Sequence, residues 1–282
     1  MKQLIICADM EGASGIFEEN REALRHEEIY PQGKLWRQFG RQALTSDILA
    51  VCQGANEAGA DEILLYDGHY AGCAEHNVIL EQLPANVRVF DLPERRFFWR
   101  RIRGQAAWEP WALVTVGQHA RYGEENAYFP HTIQSPPIKG FWVNGLHIAE
   151  LGSAALSFRG VPYAANVGCA ASHREARELS PQVSCISVKD KTKNWKPSPE
   201  ETFPLIRQGV RQALEDIANK PGVQMDGDCQ CSLELTEGFH FEPPARFSWK
   251  GEFEKSVAYW EAPYVELALE LFNEARDCIV KD

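Results

Sequence analysis

The sequence predicts an α/β protein: a mostly parallel sheet with helices on both faces, followed by a smaller C-terminal α+β domain. Three observations carry this. Short continuous apolar runs recur from Leu4 to Val188, the mark of strands buried on both faces. Stretches with apolar residues at helical spacing lie between them. A polar stretch with two prolines, residues 189–199, then breaks the pattern. We therefore expect a metal-binding α/β catalytic domain over residues 1–195 and a smaller domain over 196–282.

The first strand is expected over Leu4–Ala8, stopped at once by Asp9 and Glu11. Residues 17–33, rich in Glu and Arg, read as a long connection. Trp36, Phe39, Ala43, Ile48, Val51 and Ala55 then trace one face of an amphipathic helix, with Gly59 suited to its end. Glu62–Tyr66 reads as a strand running into Asp67-Gly68-His69, Val87–Phe90 as another, and Leu113–Val116 as a third ending in Gly117-Gln118-His119. Phe141-Trp142-Val143 is a strand before the turn pair Asn144-Gly145. A helix over 147–158, a strand over Val161–Val167, a short helix near 173–179 and a strand over Val183–Val188 continue the alternation. Ser198, Pro199 and Glu201 make a capping-box start for a helix carrying Ile206, Val210, Ala213, Leu214 and Ile217. Strands near 230–240 and 252–260 and a helix over 263–278 complete the tail.

Composition narrows the function. The chain has 282 residues, 44% hydrophobic and 24% charged, which is globular rather than disordered. No apolar run approaches the ~18–20 residues of a membrane-spanning helix. A net charge of -11 argues against general affinity for nucleic acid or anionic membrane. The N-terminal apolar run is too short for a secretory segment, so the eight cysteines are expected to be thiols in the cytoplasm.

The chemistry collects at strand ends. Asp9 and Glu11 follow the first strand, His69 the second and His119 the strand at 113–116. Carboxyl ends of parallel strands share one edge of the sheet, where such sheets bind ligands. Asp9 and Glu11, one residue apart, face the same side of an extended stretch. Carboxylates with imidazoles suit zinc, and a bridging carboxylate would allow two ions. Taken singly, each residue also reads as a cap, a turn or a solvated loop side chain; the set is what weighs against that.

Other motifs carry less. Gly12-Ala13-Ser14-Gly15 has neither phosphate-loop nor nucleophile-elbow spacing, so Ser14 reads as a turn residue. Cys229 and Cys231 form a lone C-x-C without a partner pair. Residues 93–104 set five arginines among Phe97, Phe98 and Trp99, a stretch suited to a subunit contact or a carboxylate-recognising rim.

Read in order, D-M-E-G at 9–12 with Gly15, D-G-H at 67–69, G-Q-H-A at 117–120, F-P-H-T at 129–132 and N-G-L-H-I-A-E-L-G at 144–152 resemble the zinc-dependent D-aminopeptidase family of the DppA type. The likeness is clear to about residue 155 and thins beyond. It implies two zinc ions per chain, with Asp9 bridging and Glu11, His69, His119 and Glu150 as the remaining ligands. It implies that His131 is a catalytic histidine outside the ligand set, acting as general base or proton shuttle. It implies a short-peptide substrate cut at its N-terminal amide, release of a D-amino acid, and a homodecamer of two pentamer rings. Residues 168–172 lack the acidic residues the family tends to place there. The expectation is thus a zinc aminopeptidase, with a two-metal hydrolase of another amide or ester, or a ring-forming binding protein without turnover, as alternatives.

Overall fold

The computed structural model describes residues 1–29, 34–73, 75–90, 110–242 and 251–282. The arginine-aromatic stretch 93–104 lies outside the described residues.

The parallel sheet forms as the apolar runs predict. Its strands are β1 (Gln3–Ala8), β2 (Glu62–Asp67), β3 (Val87–Val89), β4 (Ala112–Gln118), β7 (Tyr163–Cys169) and β8 (Ser184–Lys189), in the order β3-β2-β1-β4-β7-β8. Every neighbouring pair is parallel. The chain lays β2 and β3 on one side of β1, then returns to lay β4 on the other. The carboxyl ends of β1 and β4 therefore flank the point where the strand order reverses, which is where open α/β sheets form crevices.

Both faces of the sheet are covered. Leu4, Ile6 and Ala8 of β1 point into one core with Ile48 and Val51 of α1 (Arg41–Glu57) and Ile206, Val210 and Leu214 of a later helix. Ile5 and Cys7 point the other way, into a core with Phe141, Leu151 and Phe272. The helix predicted from Trp36 begins as a π turn, Trp36–Gly40, running straight into α1. Gly59 takes a φ of +89° beyond its end, as a left-handed stop requires.

Phe141-Trp142-Val143 is where the alternation misled. It belongs to β5 (Ile138–Val143), which turns at Asn144-Gly145 into β6 (Leu146–Ile148) as an antiparallel hairpin. Both turn residues have positive φ, 50° and 80°, so the turn matches the twist of its strands. The predicted 147–158 helix is accordingly shorter, α2 (Glu150–Ser157). The hairpin joins an antiparallel sheet, β11-β12-β9-β5-β6, built with β9 (Cys229–Leu235), β11 (Gly251–Phe253) and β12 (Val257–Ala262). Cys229 and Cys231 both pack inward from β9. Phe239–Phe241 (β10) and Ile279–Lys281 (β13) pair separately.

The remaining helices are α3 (His173–Leu179), α4 (Pro199–Glu215) and α5 (Val265–Arg276). The capping box forms: Ser198 Oγ accepts from the Glu201 amide, and the Glu201 carboxylate accepts from the Ser198 amide. α4 packs beside α1 over the parallel sheet, while β9 pairs with β5, so the antiparallel sheet takes strands from either side of residue 195. All eight cysteines are free. Among the described residues no helix is long and apolar enough to cross a membrane.

Candidate metal centre

The motifs converge because the loops after β1 and β4 are pressed backbone to backbone. The Asp9 amide donates to Val116 O and the Gly12 amide to Gly117 O, each at 2.8 Å. A Cβ on Gly12 would lie 1.9 Å from Gln118 O, and one on Gly117 2.0 Å from Asp9 O. Only glycine permits that approach. Asp9 and Glu11 are thereby held against His119. Ser14 belongs to the same loop and is structural: its amide donates to Asp47, and its buried Oγ accepts from Thr202. Lys189, wholly buried at the end of β8, donates to Glu11 O, Ala13 O and Ile16 O at 2.7, 2.9 and 2.6 Å.

His69 is set by a second group of buried polar contacts. The Asp67 carboxylate accepts from the Asn77 amide at 2.7 Å and from its side chain at 2.9 Å, and Asn77 Nδ2 also donates to His69 O. Asp67 therefore orients the histidine from behind. The hairpin delivers Glu150 as the first residue of α2, where the helix dipole favours a carboxylate. Ala149, the cap residue, offers no side-chain hydrogen bond; Glu175 of α3 substitutes for it, accepting from the amides of Ala149 and Gly152 at 2.8 and 3.0 Å.

All six predicted residues meet in one place. Asp9 Oδ1 lies 3.4 Å from His69 Nδ1, and Glu11 Oε2 lies 2.9 Å from the same nitrogen. The other carboxylate oxygen of Asp9 lies 3.3 Å from His119 Nε2, which is 3.2 Å from Glu150 Oε2. His131 Nε2 sits 3.4 Å from Glu150 Oε1 and 3.9 Å from Glu11 Oε1. The rings of His119 and His131 stack at 3.9 Å with 7° between planes. One carbonyl fixes that pair: Ala120 O is 2.8 Å from His119 Nδ1 and accepts the His131 amide at 3.1 Å.

The hydrogen bonds behind the histidines assign their ring nitrogens. His69 Nε2–H donates to Leu24 O, His119 Nδ1–H to Ala120 O and His131 Nδ1–H to Phe129 O. In neutral rings this leaves Nδ1 of His69 and Nε2 of the others as lone pairs turned towards carboxylates. Lone pairs facing carboxylates repel unless a cation lies between them. Among the described residues, Asp9 Oδ2, Glu11 Oε2, His119 Nε2 and Glu150 Oε2 are buried without a hydrogen-bond partner. Buried polar atoms go unpaired at a cost of roughly 1–3 kcal/mol each, so four facing one another mark a place for a cation. The donor set, carboxylate oxygen and imidazole nitrogen, fits zinc.

The ionisation pattern shows the same need for positive charge. Burial and the neighbouring Glu11 push Asp9 up to about 7. Burial works against a charged His69, but Glu11 and Asp9 overcome it and push the imidazole to about 10. Glu11 falls well below the ordinary carboxylate range: burial opposes this, and the positive charge of His69 prevails. His131 moves the other way, lowered by burial and by His119. Its side chain is 14% exposed against 1% for His119. His131 is thus the more accessible of the stacked rings, and it faces a cavity of about 560 Å³ lined also by Asp9, Glu11, His69 and Glu150.

A family model described as D-aminopeptidase (Peptidase_M55) matches residues 1–241. The chain belongs to the D-aminopeptidase family. No curated protein matches it in sequence. Among solved structures it is similar to the Zn-dependent D-aminopeptidase DppA from Bacillus subtilis, a self-compartmentalizing protease, at a TM-score of 0.77 and 18% identity over 98% of this chain and 97% of that one. At that identity the likeness establishes a shared fold. The D-aminopeptidase match ends before α5, which supplies part of the cavity wall.

Asp9, Glu11, His69 and His119 are visible in the sequence as candidate ligands at strand ends, whereas Glu150 and His131 rest on the family resemblance. Glu175 and Lys189 were missed. The one sign of Lys189 was a lysine ending a run otherwise suited to the interior, S-C-I-S-V-K.

Proposed function

We propose that this member of the D-aminopeptidase family is a two-zinc aminopeptidase that hydrolyses the N-terminal amide bond of short peptides and releases D-amino acids. The observation that carries this is the split of the Asp9 carboxylate: one oxygen faces His69, the other His119. Glu11 and His69 would hold one ion, and His119 and Glu150 the other, with Asp9 common to both. Zinc supplies Lewis-acid polarisation of a carbonyl and stabilises developing negative charge. The chain's own contribution is orientation and proton transfer. Asp67, Asn77 and Leu24 O fix the His69 ring, and Ala120 O fixes the His119 ring. His131, its pKa lowered by burial and its ring open to the cavity, takes at Nε2 the proton that the attacking water loses as its oxygen bonds to the carbonyl carbon, and passes it to the departing amine as the C–N bond breaks.

We also propose a closed homodecamer of two pentamer rings with the centres inside, and a cytoplasmic location. The description of DppA as self-compartmentalizing supports the first. The eight free thiols suit the second.

Elemental analysis after zinc reconstitution tests the reading, beside hydrolysis of D- and L-aminoacyl peptides with and without chelator. Two zinc ions per chain, chelator-sensitive cleavage and less than one ion in Asp9→Asn are expected. A reconstituted wild type holding well under one ion would overturn it. Light scattering tests the assembly, which a 31.8 kDa monomer at micromolar concentration would exclude.

A further inference from the structure

The cavity beside the metal centre has a charge pattern that the hydrolytic chemistry does not use. Its wall includes two guanidinium groups, Arg25 and Arg276. Arg25 is tied to the ligand His69 by adjacent contacts. Leu24 O accepts His69 Nε2–H at 2.8 Å, and Arg25 Nη1 donates to Tyr70 O at 2.7 Å. The segment that orients the metal ligand therefore also fixes a cation one residue along the same wall. Arg25 is half-buried, and no carboxylate among the described residues lies within ion-pair distance of it. A partly desolvated guanidinium with donors left over in a chain of net charge -11 is suited to an anionic ligand. Ile133, Phe158, Leu269 and Phe272 make the cavity's apolar lining. Asp9, Glu11 and Glu150 give the same cavity an acidic region suited to an ammonium group.

We infer that Arg25 is a specificity-determining residue: it binds the C-terminal carboxylate of the substrate and confines the enzyme to short zwitterionic peptides with an apolar side chain. This rests on the aminopeptidase reading above. A free amine at the acidic and metal-binding region and a free carboxylate at Arg25 must be spanned within one cavity of about 560 Å³, a size typical of small-molecule sites. Arg276 comes from α5, beyond the residues that match the family model, so part of this wall belongs to the chain's divergent end.

The test compares dileucine, as the D,D and the L,L peptide, with its C-terminal amide on the zinc-loaded protein. The acid should be favoured over the amide roughly 10- to 100-fold in kcat/KM, mainly through KM, as expected for a hydrogen-bonded charge. In Arg25→Met the ratio should collapse to within about threefold, with zinc content unchanged, and Arg25→Lys should fall between. Arg25→Lys decides the matter if Arg25→Met does not fold. Equal use of acid and amide by the wild type, or a preference that survives in the variants, overturns the inference. Calorimetric binding of the same pairs to zinc-loaded His131→Ala separates it from the peptidase reading. Without cleavage anywhere, an acid-over-amide binding preference abolished by Arg25→Met would still uphold the role of Arg25. Cleavage without such a preference would remove that role alone.

Discussion

Lys189 Nζ and the main-chain carbonyl of Glu11, 2.7 Å apart, join the edge strand of the parallel sheet to the loop after its first strand. The same ammonium takes Ala13 O and Ile16 O and lies 5.5–5.9 Å from the ring centroids of Phe17, Tyr128 and Phe129. Phe129 O accepts from His131, so one buried cation braces both the loop of Asp9 and Glu11 and the loop of His131. Lys189→Met leaves three carbonyls without their donor. We expect a loss of about 3–5 kcal/mol in denaturant unfolding of the metal-free chain. Zinc affinity should fall roughly 10- to 100-fold in a chelator competition. A variant within about 1 kcal/mol of wild type would remove the bracing role.

His131→Ala should keep its zinc and lose turnover. A general acid–base group is worth roughly 10²–10⁴ in rate. Zinc stoichiometry and hydrolysis rate are measured on one preparation; loss of zinc would make His131 a ligand, and an unchanged rate would take it out of the reaction.

Glu175 acts on Glu150 through the helix start. Burial raises its carboxyl to about 7, and what its partners need is an acceptor rather than a charge. Glu175→Gln should therefore be tolerated. Glu175→Leu strands the amides of Ala149 and Gly152, at roughly 1–3 kcal/mol each, and loosens Glu150. Zinc titration of both variants checks this: equal affinities would show that the helix start needs no such acceptor.

His173 gives the chain an acid-sensitive interior. Asn166 Nδ2 donates to its Nδ1, and its Nε2–H donates to Ser187 Oγ. Burial lowers its pKa from 6.5 to about 4. Between those values the unfolded chain binds a proton that the folded chain refuses, so stability falls as pH drops from about 6.5 to 4. The loss should reach about 3 kcal/mol at the lower end. Across that window the urea midpoint of wild type should fall relative to that of His173→Gln; parallel curves would exclude the histidine as the cause.

The parallel half of the fold was legible because its strands are buried on both sides and read as unbroken apolar runs: Leu4 to Ala8 needs no alternation. The antiparallel half was not. Phe141, Trp142 and Val143 look the same in either kind of sheet, and only the positive φ values at Asn144 and Gly145 distinguish a hairpin from a crossover. The site divides along the same line. Asp9, Glu11, His69 and His119 stand at the ends of parallel strands, so topology alone gathers them. Glu150 arrives by the hairpin and His131 by a loop with two non-glycine residues at positive φ, Phe129 and Ile133. Neither path is written in local periodicity. Lys189 and Glu175 were hidden for another reason: a buried charge is read as a surface one until its partners, far away in sequence, are known.

Helix α5 closes the cavity from the far end of the chain, more than a hundred residues after Glu150. Part of the cavity wall thus comes from a stretch of polypeptide outside the residues that match the family model. A change at Leu269, Phe272 or Arg276 would reshape the cavity without touching the loops that carry Asp9, Glu11, His69 and His119.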